Sequence, residues 1–280
     1  MTRSTTIIGF FLLALRASGG PYAPAAGQAG STAIAHDDPG LIAWGSSVGQ
    51  VVRGPFDISD PESPLASFGN PNPAVLGPAD GFNPSTGEPL TDPNRVVSLG
   101  DGGALTVLFD QPIFNGPSWD FAVFENAFNN TFLELAFVEV FDGGTWARFP
   151  TNSLTQTAIQ IDQASGINNG IDPTEIDGFA GKYRAGFGTP FDLSALAGTP
   201  GFNLDHIVAV RVIDVVGSLD PTYARKDSAG RTINDPWPTP FATGGFDLDA
   251  IGAFHVVPEP QAALTLLAGI LGLALRRPRL

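Results

Sequence analysis

Carboxylates occur inside three apolar segments of this 280-residue chain: Phe121–Glu125, Val210–Val216 and Phe246–Ile251. A buried carboxylate costs several kcal/mol unless it is paired. Residues 30–260 hold all 28 acidic residues but only nine of the 14 basic ones, too few for pairing. A bound Ca²⁺ ion would compensate the surplus negative charge, because it takes six to eight oxygens from carboxylates, amides and carbonyls. The expected ligands are Asp120, Glu125, Asn126, Asp247 and Asp249, with hydrogen bonding to arginines and loop amides as the alternative.

The two-residue period of a strand predicts which of these side chains share a face. It places Asp247 and Asp249 on the same face as Ile251. It places Arg211 and Asp214 on opposite faces of one strand. We therefore expect Arg211 to pair with an acidic residue of another strand.

A second candidate calcium site is the loop Asp227–Asp235, which has an acidic residue at each end, a central Gly230, and Ser and Asn oxygens between them. It differs from an EF-hand loop, because it lacks acidic residues at the third and fifth positions and a terminal Glu. The alternative is an Asx turn exposed to solvent. Both interpretations stay open from the sequence, with Asp227 and Asp235 as the candidate ligands.

Paired carboxylates could instead perform acid–base catalysis on a glycan. Glu134 and Glu139 face opposite ways on one predicted strand, which argues against their serving a single two-carboxylate site. Nucleophile-elbow serines and phosphate-binding glycine loops are missing from the sequence. The carboxylates available for a hydrolase are Asp120, Glu125, Asp214, Asp247 and Asp249.

Trp237 is the best candidate for an exposed aromatic side chain. It lies in Asp235–Pro240, between prolines on an apparent loop, where a ring could stack on a sugar. Trp119 and Trp146 border predicted strands, where tryptophan more often packs in the core.

The composition excludes several classes of protein. Residues 30–260 carry a formal net charge of −19, the balance of nine basic and 28 acidic residues, which repels nucleic acid and anionic membranes. The chain has no cysteine, so disulfides and thiolate metal sites are ruled out. The three histidines are far apart and lack metal-ligand spacing.

Many glycines, prolines and phenylalanines indicate short strands joined by turns. The sequence predicts an all-β fold, a two-sheet antiparallel β-sandwich of jelly-roll or galactose-binding-like type. Two long loops, 57–95 and 150–205, should cover it, with a helical turn at Ser194–Leu196. The predicted strands are Ile42–Val52, Val96–Leu99, Ala104–Phe109, Trp119–Glu125, Phe132–Phe141, Trp146–Phe149, Ile207–Val216 and Phe246–Val257.

The two ends of the chain carry export features. Residues 1–29 have a charged start, an apolar run and small residues, as in a secretory signal peptide. Residues 258–280 contain Pro258, Glu259 and Pro260, an apolar run of 14 residues from Ala262 to Leu275, and then Arg276, Arg277, Pro278, Arg279 and Leu280. The run is shorter than the roughly 20 residues that a membrane-spanning helix needs. Its arginines favour the cytoplasmic side.

The tail resembles the PEP-CTERM sorting signal of Gram-negative bacteria that make extracellular polysaccharide. The resemblance implies that a membrane protease of the exosortase type recognises the tail and cuts near Pro258–Pro260. The transmembrane anchoring by the short C-terminal helix would then be transient. The expected location is the cell surface or the extracellular matrix, including biofilm.

Residues 95–257 resemble a group of uncharacterised bacterial surface proteins with a galactose-binding-like β-sandwich. The motifs that carry the resemblance include Trp119–Asn126, Glu134–Val140, Val210–Gly217 and Gly244–Gly252. The resemblance implies a fold and a location, and no activity comes with it.

The sequence therefore predicts a signal peptide (1–29), a β-sandwich surface domain (30–257) and a sorting signal (258–280). The expected function is non-catalytic binding of extracellular polysaccharide, of Ca²⁺, or of both. The alternatives are a secreted glycan hydrolase and a purely structural surface domain.

Overall fold

The computed structural model describes residues 19–258. Residues 1–18 and 259–280 lie outside the described residues, and with them most of the predicted signal peptide and of the predicted sorting tail. Of the sorting residues only Pro258 is described, in exposed coil. Between positions 19 and 258, no helix is long and apolar enough to cross a membrane.

The described part of the chain is all-β. Its strands are β1 (Ile34–Ala35), β2 (Ala43–Trp44), β3 (Ser47–Val52), β4 (Val97–Ser98), β5 (Ala104–Ile113), β6 (Phe121–Glu125), β7 (Ala136–Phe141), β8 (Trp146–Arg148), β9 (Asn152–Ser153), β10 (Ile176–Asp177), β11 (Phe187–Phe191), β12 (Ile207–Asp214) and β13 (Asp247–Ala253). Two short helices are α1 (Pro71–Ala74) and α2 (Gln163–Asn169), and 3₁₀ turns occur at Pro173–Glu175 and Leu193–Leu196.

Two antiparallel sheets form the body of the domain. The first has the order β1-β11-β6-β13-β2, and β4 pairs with β13. The second has the order β3-β5-β12-β7-β8, while β9 and β10 form a separate small pair. The prediction of an all-β fold with two antiparallel sheets is confirmed.

Apolar residues from both sheets form one central core, which explains why the strand sequences are nearly continuous apolar runs. Its fully buried members include Leu99, Leu105, Val107, Phe121, Val138, Val210, Val212, Leu248 and Ile251. A second cluster packs under the long segment after β8, around Leu133, Leu135, Ile171, Ile176 and Phe179. That segment is therefore held by burial, although its sequence shows weak periodicity.

The predicted strand Ile42–Val52 is wrong as one strand, because the chain passes from the first sheet to the second within it. Gly45 N donates to Ile251 O at 3.0 Å, while Ser46 N donates to Leu108 O at 2.9 Å. A Cβ on Gly45 would lie 2.3 Å from a side-chain carbon of Val107. The crossing therefore requires glycine at this position.

The prediction that Asp247 and Asp249 share a face with Ile251 is also wrong. The pairing of β13 with β6 shifts by one residue between Leu248 and Ala250. This bulge lets both Leu248 and Ile251 pack in the central core although they are three residues apart. Regular alternation would have placed them on opposite faces.

The face assignments elsewhere are confirmed. Arg211 pairs with Glu139 of the neighbouring strand β7, and Arg148 of β8 binds the same carboxylate, with its Nε 2.8 Å from Oε1. Asp214 points inward, and its carboxylate accepts the N–H groups of Gly102 at 2.8 Å and Phe246 at 2.7 Å. The predicted helical turn at Ser194–Leu196 is present as the 3₁₀ turn Leu193–Leu196.

Candidate functional site

Strand register brings three of the predicted cation ligands together at one end of the first sheet. Strand β6 ends at Glu125 and β13 begins at Asp247, and Glu125 lies opposite Leu248 in the pairing. The backbone N–H of Asn126 donates to the carbonyl of Asp247 at 3.2 Å. Glu125, Asn126 and Asp247 are therefore neighbours, and we call them the oxygen cluster.

Each member of the oxygen cluster has a buried oxygen without a hydrogen-bond donor among residues 19–258. These atoms are Oε2 of Glu125, Oδ1 of Asn126 and Oδ1 of Asp247. The amide nitrogen of Asn126 is used, because it donates to Leu90 O at 3.2 Å. Buried polar atoms almost always have a partner, so such acceptors on three neighbouring residues require an explanation. The hydroxyl of Ser98, which lies opposite Asp247 in the strand pairing and is also unpartnered within the described part of the chain, is one donor available to Asp247.

Mutual repulsion adds to the cost of burial in this cluster. Burial raises the pKa of Glu125 well above its ordinary value, and the charge of Asp247 raises it further. Burial likewise raises the pKa of Glu134, with Asp247 and Glu125 adding to the effect. Burial raises the pKa of Asp247 to about 7, although the nearby Ser98 hydroxyl and Arg53 guanidinium act the other way.

Arg53 is a cation that acts on Asp247, but its guanidinium is already engaged. It donates to three backbone carbonyls, those of Phe68, Ser98 and Gly69. Burial lowers the pKa of Arg53, and Asp247 raises it. The arginine therefore ties loops together and leaves the cluster with excess negative charge.

The oxygen cluster adjoins a cleft of about 310 Å³. Asn126, Glu134 and Asp247 line the cleft together with apolar side chains. Phe128 and Phe241 are two of these, and they are 61% and 44% exposed. These two rings give the cleft an exposed apolar rim beside its polar floor.

This arrangement permits two kinds of chemistry. Two carboxylate oxygens and an amide oxygen are hard ligands that suit Ca²⁺, which also accepts backbone carbonyls and solvent. Alternatively, two carboxyl groups with raised pKa values in one cleft could act as acid and base. No group of three or more His, Cys, Asp or Glu side chains in residues 19–258 is already arranged to hold a metal ion.

Asp120 does not join the oxygen cluster. It precedes β6 and lies at the opposite end of that strand from Glu125. Its carboxylate accepts hydrogen bonds from Gly116 N at 2.7 Å, Leu193 N at 2.7 Å and His255 Nδ1 at 2.9 Å. Asp120 therefore joins three segments of the chain.

Asp249 is engaged by a loop, although its charge is close enough to the oxygen cluster to raise the pKa of Glu125. Its Oδ1 accepts the N–H of Asp80 at 3.0 Å. Burial raises the pKa of Asp249 to about 7, partly offset by the N–H groups of Asp80 and Gly81. We assign Asp249 to holding this loop on the sheet.

The loop Asp227–Asp235 does not bring its two acidic ends to one point. Asp227 accepts from Ser153 N at 2.8 Å and Arg231 N at 2.8 Å, and it is paired with the Arg231 guanidinium. Burial alone would raise the pKa of Asp227, but these hydrogen bonds and Arg231 outweigh it and lower the pKa. Asp235 is buried elsewhere and accepts Leu135 N at 2.8 Å.

Trp237 is half-buried, and it lies outside the cleft lining. Its indole N–H donates to Asp101 Oδ2 at 2.8 Å, and its ring lies 6.3 Å from that of Tyr223. The indole is therefore anchored, with part of its surface left in contact with solvent.

Sequence reasoning missed three cleft residues, Phe128, Glu134 and Phe241. Phe128 and Phe241 lie outside the strands, so no periodicity marks them. The sequence indicated only that Glu134 and Glu139 face opposite ways. The structure agrees, because Glu139 forms ion pairs with Arg148 and Arg211 while Glu134 lines the cleft. One feature of the sequence could have marked Glu134: it is a carboxylate with apolar neighbours in Phe132–Phe141.

No protein-family model matches this chain, and no curated protein matches it significantly. The geometry of the cleft and the sequence are therefore the basis for assigning a function.

Proposed function

We propose that this chain is an exported surface protein whose β-sandwich binds polysaccharide in the cleft, with a Ca²⁺ ion held by the oxygen cluster. The ligands of the ion would be Glu125, Asn126 and Asp247. Binding would be non-catalytic. In finer detail, we propose that the sandwich is galactose-binding-like, of the jelly-roll sort.

The three buried oxygens without donors carry this proposal. Protonation of one carboxyl supplies one O–H donor, which could satisfy Asn126 Oδ1 but would leave the other carboxylate oxygen without a partner. A cation would satisfy all three oxygens at once. It would also remove the repulsion among Glu125, Glu134 and Asp247.

The rim of the cleft supports a carbohydrate as the ligand. Phe128 and Phe241 offer ring surface for the apolar face of a sugar, with Thr91, Gln163 and Thr239 also in the lining. An apolar wall with a few polar groups is the usual form of a small-molecule site. The acidic floor favours a neutral glycan, because it would repel the carboxylates of a uronic-acid polymer. Only the calcium ion would attract such a polymer.

The ends of the chain support the cellular part of the proposal. A signal peptide over 1–29 and a sorting tail with Pro258, Glu259, Pro260, Arg276 and Arg277 would lead to export and to processing by an exosortase-type membrane protease. The tail would anchor the chain in the inner membrane only until processing. The mature protein would then lie at the cell surface or in the matrix.

A secreted glycan hydrolase is the second candidate. One observation favours it: Glu134 and Asp247 line one cleft beside exposed aromatic rings, and both have raised pKa values. A carboxyl with a raised pKa can donate a proton to a leaving group. The two candidate functions differ in whether the bound polysaccharide is hydrolysed.

The test measures binding and turnover on the same samples. Retention of the purified protein on insoluble polysaccharides is measured in Ca²⁺ and in EDTA, and released reducing ends are assayed in parallel. We expect retention in Ca²⁺, about tenfold weaker retention in EDTA, and no reducing ends. The variant Asp247→Asn should lose the calcium effect. Asp110→Asn, which removes the same charge at an exposed strand position, should keep it.

Release of reducing ends that stops in Glu134→Gln would support the hydrolase instead. Equal retention in Ca²⁺ and EDTA would contradict the role of calcium. Absence of retention on every polysaccharide would contradict glycan binding, even if calcium itself binds.

A further inference from the structure

A second cavity, of about 170 Å³, has a buried lysine in its wall. Lys182 is 3% exposed, whereas Lys226, the other lysine of the chain, is exposed. The cavity lies away from the cleft and shares no lining residue with it. The cavity is therefore separate from the sites proposed above for Ca²⁺ and glycan.

The amine of Lys182 is poorly solvated. Within residues 19–258, Nζ has one hydrogen-bond acceptor, the carbonyl of Ile176 at 2.8 Å. The nearest carboxylate oxygen, on the half-exposed Asp177, is 4.0 Å away. The rings of Tyr22 and Tyr183 lie 5.8 and 5.9 Å from Nζ. An ammonium has three protons to donate, so these partners leave it short of acceptors.

This environment favours the neutral amine. Burial lowers the pKa of Lys182 to about 8, although the charges of Asp177 and Asp172 act the other way. Asp192 also lines the cavity. At pH 7 an amine with a pKa near 8 is about one-tenth unprotonated, compared with less than a thousandth for a lysine of pKa 10.4.

The rest of the wall suits a small organic molecule. Trp119, Phe149 and Phe191 provide apolar surface, and Thr32 and Thr189 provide hydroxyl groups. The Thr32 hydroxyl is also hydrogen-bonded to Tyr183, at 2.8 Å, which fixes its position. The volume fits a molecule of a few carbon atoms. Lysines in apolar pockets are suited to forming Schiff bases.

We propose that Lys182 is a covalent capture site for small aldehydes or ketones. The lone pair of Nζ adds to the carbonyl carbon, the carbonyl π pair moves to oxygen, and oxygen takes the proton that nitrogen loses. Protonation of that hydroxyl lets it leave as water while the nitrogen lone pair forms the C=N bond, and the iminium nitrogen then releases a proton in return. One amine and one carbonyl compound thus give one imine and one water, without oxidation or reduction.

The opposing interpretation is that Lys182 is structural and only holds the Ile176 carbonyl. The two interpretations differ in one measurable property, the reactivity of Nζ in the folded protein. A structural lysine that is 3% exposed should react more slowly than Lys226. A capture site should react faster, and its rate should saturate as the cavity fills.

The test uses the full chain, butanal as the probe and sodium cyanoborohydride to trap the imine at pH 7. Peptide mass mapping follows the butyl adduct on each of the two lysines over time. We expect Lys182 to react at least about tenfold faster than Lys226, with a rate that levels off as butanal is raised. In 8 M urea the two rates should become similar.

Faster or equal labelling of Lys226 in the folded protein would overturn the proposal. So would labelling of Lys182 that grows linearly with butanal at every concentration, because it would show that no cavity complex forms. The variant Lys182→Arg keeps a cation for the Ile176 carbonyl and should show only the Lys226 adduct. The wild-type measurement decides the matter even if that variant fails to fold.

Discussion

Replacing Asp247 by Asn should stabilise the protein at high pH when calcium is absent. Asp247 has an ordinary pKa of 3.8 that burial raises to about 7 in the folded state. Between these values the folded state keeps a proton that the unfolded state has released. Stability must therefore fall as pH rises through this window, and the loss is complete above about pH 7.

The size of this effect follows from the same values. Each unit of pKa difference corresponds to 1.36 kcal/mol, so a rise from 3.8 to about 7 amounts to about 4 kcal/mol at most. Asn removes the ionisation but also loses the favourable interaction with Arg53. We therefore expect Asp247→Asn to be about 2–4 kcal/mol more stable than the wild type at pH 8 in EDTA. At pH 4 the two proteins should differ little.

Urea unfolding followed by tryptophan fluorescence, at pH 4 to 8 in EDTA, measures this difference. Glu125 and Glu134 also have raised pKa values, so the wild type should lose further stability as pH rises. The variant Asp110→Asn is the control, and its curve should run parallel to that of the wild type. A wild-type unfolding free energy that is flat or rises from pH 4 to 8 would contradict a raised pKa of Asp247 in the folded state. A variant less stable than the wild type at pH 8 would refute it too.

Three further predictions concern separate features. Phe128→Ala with Phe241→Ala should weaken retention on polysaccharide at least about tenfold, while the melting temperature moves by no more than about 2 °C, because both rings are exposed. A large fall in the melting temperature would show that they are structural. Asp214→Ala should cost about 3 kcal/mol in urea unfolding at pH 4, where the raised pKa of this buried carboxyl keeps it uncharged, because the N–H groups of Gly102 and Phe246 lose their acceptor. A cost below about 1 kcal/mol would contradict this. Asp227→Asn should cost about 1–2 kcal/mol yet leave the calcium titration unchanged, and a lost titration would move the ion to that loop.

Apolar runs were enough to predict most long strands, because burial on both sides selects against polar residues throughout a strand. They located β5, β6, β7, β12 and β13 to within a few residues. They did not reveal β11, whose Gly188 and Pro190 are poor strand residues. Pro190 is tolerated there because β1 pairs only with Phe187 and Gly188, so the position has a strand on one side alone.

The candidate site was only half visible from the sequence. Carboxylates in apolar strands marked Glu125 and Asp247, and the ends of two paired strands brought them together. Asp120 and Asp249 show the same sequence pattern, because composition cannot tell a carboxylate held by backbone N–H groups from one that keeps an oxygen without a donor. The aromatic rim depends on loops far apart in sequence, so only the folded chain shows it.

Isothermal titration of the purified, calcium-free protein with Ca²⁺ at pH 7.5 tests whether the oxygen cluster binds the ion. We expect one saturable site, lost in Asp247→Asn and in Glu125→Gln and kept in Asp110→Asn. Filling that site to 100 times its dissociation constant should also stabilise the fold by about 2.7 kcal/mol. No heat of binding above dilution, with a melting temperature unchanged by Ca²⁺ or EDTA, would contradict this expectation. So would a site that survives both substitutions in the oxygen cluster.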